Sequence, residues 1–133
     1  MNWKLVFLLS LFGLAMAAGT ISLISSGIEP VFWLATFLVT AYLIGTAAPG
    51  RVFLHGLCLG LVNCVWVTGA HVLFAKAYIA HHPDEAKMMA SMPLPTHPRL
   101  MMLLTGPIVG VVSGCVIGLL AMLAHKLFAK KAA

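Results

Sequence analysis

The side chains best suited to chemistry fall in two stretches of this sequence. In the segment 80–98, Met88, Met89 and Met92 stand near His81, His82 and His97. Thioethers and imidazoles are ligands that copper accepts, Cu(I) above all. Methionine also fills irregular gaps and settles among lipid headgroups. Interfacial packing is therefore the expected role of this segment, with extracytoplasmic copper handling as an alternative. In the apolar run 52–74 the notable polar groups are Asn63, Thr68 and His71. A polar side chain at bilayer depth either bonds a neighbouring helix or marks a route or site for something else. Cross-helix bonding is the expected role of Asn63 and His71. A path lined by Asn63, Thr68 and His71 is what a small transporter or channel subunit would need.

Other chemistry finds little footing. There is no paired intramembrane carboxylate, no GxSxG or HExxH motif and no phosphate-binding loop, so neither catalysis nor a cofactor is expected. His55, near the start of the third run, and His125, just past the end of the fourth, are expected toward the cytoplasmic ends of those two spans, where a helical bundle can hold haem between facing imidazoles. Their neighbours Arg51 and Lys126 make interfacial anchoring the simpler expectation. Cys58, Cys64 and Cys115 are odd in number, form no CxxC pair and lie inside apolar runs, so they read as packing residues. No dense basic patch interleaves with aromatics, and nucleic acid is not an expected partner.

The elements that must position these residues follow from composition. Of 133 residues, 62% are hydrophobic and only 8% charged, with a mean hydropathy of +1.05. Soluble domains carry roughly 25% charged residues, so a lipid bilayer is the solvent that fits. Crossing its hydrocarbon core takes about 20 apolar residues in a helix. Four runs qualify, at 5–24, 31–48, 52–74 and 100–123, and the expected fold is all-α, a single integral membrane four-helix bundle. Glu29-Pro30 opens the second run and Pro49-Gly50 closes it. The third run can continue as helix to Ile79. His82-Pro83-Asp84-Glu85 reads as the start of a short amphipathic helix in the outer loop, ended by Pro93, Pro95 and Pro98.

With four crossings, Lys4, Arg51, Lys126, Lys130 and Lys131 share one side, and Lys76, Lys87 and Arg99 the other. The positive-inside rule then places both termini in the cytoplasm of a bacterial inner membrane. Ala15-Met16-Ala17 matches a signal-peptidase site. Apolar residues continue through Ile21, Leu23 and Ile24, however, which favours an uncleaved first span.

Glycine spacing supplies the most specific pattern. Gly106, Gly110, Gly114 and Gly118 recur every fourth residue in the last run, and Gly56 and Gly60 begin a weaker series continued by Cys64 and Thr68. Faces of small residues let helix backbones approach closely in lipid, where van der Waals contact must hold them together. Packing within the chain is the first expectation, and association with a second copy or a partner membrane subunit the sharper one. Two helices, a third span with Phe53-Leu54-His55-Gly56, a loop with methionines and acids, and a Gly-rich last span ending in lysines complete the order of features. That order resembles small four-helix bacterial membrane proteins catalogued only as domains of unknown function. The resemblance implies architecture and no activity. The function expected from the residues is a non-enzymatic accessory or scaffold subunit working through helix packing.

Overall fold

Prolines and glycines punctuate the chain into more helices than its apolar runs suggest. The computed structural model describes residues 1–129, so the lysines at 130 and 131 lie outside the described residues. Within them the elements are α1 (Trp3–Ser22), α2 (Glu29–Ala47), α3 (Val52–Leu73), α4 (Ala75–His81), α5 (Pro83–Ala90) and α6 (Pro98–Phe128). Four of these, α1, α2, α3 and α6, are long and apolar enough to cross a membrane. The chain therefore has the make-up of a multi-pass membrane protein, and many of its large apolar side chains face outward, among them Leu11, Leu34, Leu38, Ile108 and Leu119.

The fold is all-α, but the expected four-helix bundle is corrected to six helices among the described residues. The reason lies at two backbone positions. Phe74 leaves helical geometry (φ −108°, ψ 31°), so α3 ends at Leu73 instead of continuing to Ile79. His82 (φ −128°, ψ 71°) precedes Pro83, and a residue before proline is driven out of the α region. Residues 75–90 consequently form two short helices, the first over the stretch read as a continuation of the third run. α2, α5 and α6 each carry proline in the first turn, where its missing N–H removes no helical bond. Gly50 (φ 126°) makes the turn between α2 and α3 in a conformation that glycine adopts without a Cβ clash. Pro107 sits within α6, which nonetheless runs on for 31 residues.

α3 is the central helix. α6 lies antiparallel against it, and the contacts step four residues along each helix: Gly118 on Gly56, Gly114 on Gly60, Gly110 on Cys64, Gly106 on Thr68. A Cβ at Gly114 would stand 2.7 Å from Leu57 O, and one at Gly118 2.8 Å from Phe53 O, so the absence of side chains sets this separation. α1 runs parallel to α3 on another side. Its Asn2 N–H donates to His55 Nε2 (2.9 Å), and the Trp66 indole donates to Ser10 Oγ (3.2 Å). α2 approaches α6 most closely at the end bearing the start of α1 and the last turns of α6. There a Cβ on Gly45 would lie 2.7 Å from Ala121 O and 2.8 Å from the Ala124 Cβ. Around this end sits the main core, with Val6, Leu9, Ile44, Leu59, Ile117 and Ala121. At the opposite end, Ala75 and Tyr78 of α4 pack with Met102 of α6.

Candidate functional site

The close contact at Gly45 is not kept along the whole of α2. Toward its N-terminus Trp33 and Phe37 replace small residues, and a cavity of about 410 Å³ lies among α2, α3 and α6. α4 and α5 contribute to its outer part through Tyr78, Glu85, Met88 and Met89. Ile117, fully buried in the core, also lines it. The wall is mostly apolar, with polar groups at few points: Asn63, Thr68 and His71 on α3, Thr105 and Ser113 on α6, and Glu29, Tyr78 and Glu85 around the end bearing α4 and α5.

A bonded and stacked series of side chains organises that end. Glu29, in the first turn of α2, accepts from the Trp33 indole at Oε1 (3.0 Å), while its Oε2 lies 3.1 Å from His82 Nε2. His82 is fully buried, and its Nδ1 lies 2.9 Å from Tyr78 O. A carbonyl can only accept, so Nδ1 carries a hydrogen there. The contact of His82 Nε2 with the Glu29 carboxylate links the end of α4 to the first turn of α2. Tyr78 stacks on His82 (centroids 4.2 Å apart) and on His71 (4.0 Å). His71 Nε2 meets the Thr20 hydroxyl of α1 at 3.0 Å. Burial pushes the Tyr78 phenol above its ordinary range, and the carboxylates of Glu29 and then Glu85 push it further. The phenol thus stays protonated. The Ser26 hydroxyl donates to Glu85 Oε2 (3.0 Å), tying α5 to the loop before α2.

Deeper in the cavity, Asn63 is only 6% exposed, and its side chain packs on Gly13 of α1. Its Oδ1 is buried without a hydrogen-bond partner. Leaving a buried acceptor unpaired costs about 1–3 kcal/mol, so the cross-helix bond expected of Asn63 is absent, whereas His71 does bond across to α1.

The other sequence candidates separate into groups. Gly56, Gly60, Gly106, Gly110, Gly114 and Gly118 all lie in the α3–α6 seam, and Gly60, Gly106 and Gly110 also reach the cavity wall. Met88, Met89 and Met92 border a second cavity of about 320 Å³ together with Met101 and Met102 of α6. The histidines do not join them. His81 is exposed, His82 is turned to Glu29, and His97 is exposed with Nδ1 2.8 Å from Thr96 Oγ1. Among the described residues no group of three or more His, Cys, Asp or Glu side chains is placed to hold a metal ion. His55 is held at both ring nitrogens, by Asn2 N–H and Arg51 O, and His125 Nδ1 lies 2.7 Å from Gly45 O. Both histidines fasten helices together at the end bearing the start of α1 and the last turns of α6.

Sequence reasoning passed over Glu29, Trp33, Tyr78, Glu85 and Met102. One usable signal was present: His71, Tyr78 and His82 are spaced by seven and four residues, which places them on one face of a helix. The stack preserves that alignment even though Phe74 interrupts the helix.

Comparison with known proteins returned no match to a family model, a curated protein or a solved structure. The functional reading therefore rests on the residues themselves.

Proposed function

We propose that this protein binds a small amphiphilic molecule within the membrane, in the cavity among α2, α3 and α6, as a small transporter or carrier. One observation carries the reading. Asn63, Thr68 and His71 of α3 all border one largely apolar cavity, in addition to their contacts with α1 and α6. They extend along about 12 Å of helix, at 1.5 Å per residue. A volume of about 410 Å³, apolar walls and a few fixed polar groups are the attributes of small-molecule sites.

The scaffold reading draws less support, because α3 of the same chain occupies the glycine face of α6 on which it relied. The positive-inside rule favours cytoplasmic termini in a bacterial inner membrane, with the end bearing Glu29 and Glu85 outside.

Native mass spectrometry of protein released from mild detergent tests the binding reading. Val67 lines the cavity, and Val67→Phe fills part of it. The wild-type protein is expected to retain a noncovalent amphiphile that the variant loses, with both eluting at the same size. Equal retention by the two proteins would place the bound molecule elsewhere and overturn the reading.

A further inference from the structure

We propose that the occupant of this cavity is an organic cation with an apolar tail, its charged head beside Glu85 and Glu29 and its tail directed toward Ile117. The inference rests on the binding reading above and specifies its ligand.

The sign of the charge comes from the lining. Two carboxylates, Glu29 and Glu85, border the cavity, and among the described residues no lysine or arginine does. The nearby Lys87 is exposed and lies 3.6 Å from the equally exposed Asp84, on α5. Both Glu29 oxygens are engaged, by Trp33 and His82, whereas the structure records one hydrogen bond to Glu85, from the neutral Ser26 hydroxyl, which leaves Glu85 the freer of the two carboxylates. A carboxylate beside an apolar wall attracts a cation more strongly than one in open water, because the effective dielectric is lower. The Trp33 indole also lines this end, and aromatic rings favour ammonium groups.

Shape and adaptability point the same way. Below the carboxylates the wall is Phe37, Val67, Val109 and Ile117, which gives an apolar tail its favourable burial. Met88, Met89 and Met102 border both this cavity and its neighbour, and unbranched thioether chains can re-pack around tails of different form.

Three probes with one tail separate charge from hydrophobicity: dodecyltrimethylammonium, 1-dodecanol and dodecyl sulfate. Each is titrated by calorimetry into the full chain in nanodiscs of zwitterionic lipid, with empty nanodiscs subtracted to remove partitioning. The cation is expected to bind at least about tenfold more tightly than the other two, a difference of about 1.4 kcal/mol. Glu85→Gln keeps a hydrogen-bonding side chain beside Ser26 and should bring the cation to within about threefold of the alcohol. Asp84→Asn removes the neighbouring charge outside the cavity and should leave the preference intact. If dodecanol matches the cation on wild-type protein, the charge assignment falls while the cavity remains a binding site. If none of the probes binds saturably, the binding reading falls with it. A cation preference lost equally in Glu85→Gln and Asp84→Asn would reduce the effect to surface charge and overturn the proposed head site. The wild-type comparison stands even if a variant fails to assemble.

Discussion

Asn63 and His82 are both buried polar residues, yet their positions differ in consequence. Asn63 has an unpaired Oδ1, so Asn63→Leu removes a desolvated acceptor at nearly constant volume. Thermal unfolding in detergent should change by no more than about 1 kcal/mol, while retention of the bound amphiphile drops. A large loss of stability would mean that the amide holds helices together after all. His82 is tied to Glu29, Tyr78 O and the Tyr78 ring. His82→Phe keeps a ring for the stack but strips Glu29 of its partner, and should lower stability by about 1–3 kcal/mol. An unchanged melting profile would show that the Glu29–His82 contact contributes nothing to the fold. At this scale the sequence was only half legible. Asn63, Thr68 and His71 stand out because they interrupt an apolar run. Glu29, Tyr78 and Glu85 lie at or beyond the ends of such runs, where polar residues are ordinary, and only the return of α4 and α5 brings them to the cavity.

For the elements, periodicity carried further, because it reports geometry that packing must respect. A four-residue glycine spacing on two runs specifies two smooth faces, and in the structure those faces meet each other. Which partner a smooth face meets depends on three-dimensional arrangement, so sequence could not separate self-packing from association with another chain. Gly114→Leu would drive a side chain into the Leu57 backbone, with a Cβ already 2.7 Å from its carbonyl oxygen, and is expected to abolish the folded state. Gly69, also within α3, has nothing within 4 Å of the Cβ position. Gly69→Ala should therefore be neutral or stabilising, by up to about 1 kcal/mol from helix propensity. Unfolding of the two variants under identical detergent conditions checks the contrast, and similar losses in both would remove the seam's special role. The break at Phe74 was the least visible element boundary. Leu73-Phe74-Ala75 contains neither glycine nor proline, and the interruption reflects tertiary contacts of Ala75 and Tyr78 with Met102.

The whole molecule is asymmetric from end to end, and this asymmetry is what the transport reading depends on. One end is closed by small residues: Gly45 against Ala121 and Ala124, with His55 and His125 bonding neighbouring backbones. The other end surrounds the cavity and is faced by two short helices, of which α5 brings Glu85, Met88 and Met89 to its wall. If α1, α2, α3 and α6 each cross the membrane, the turn at Gly50-Arg51 and the end of α6 must share one side, and Ser25 and Thr96 the other. Single-cysteine variants test both this and the orientation. In a background with Cys58, Cys64 and Cys115 replaced by alanine, the exposed positions Ser25, Gly50 and Thr96 are changed one at a time. Intact spheroplasts are then treated with a membrane-impermeant maleimide. Ser25→Cys and Thr96→Cys should label without lysis, whereas Gly50→Cys should label only after the membrane is opened. The opposite pattern would keep the crossings but turn the cavity end to the cytoplasm, so that its cation would be collected from inside the cell. Labelling of Ser25→Cys and Thr96→Cys from different sides would leave an odd number of crossings between them, which is incompatible with α2 and α3 both spanning.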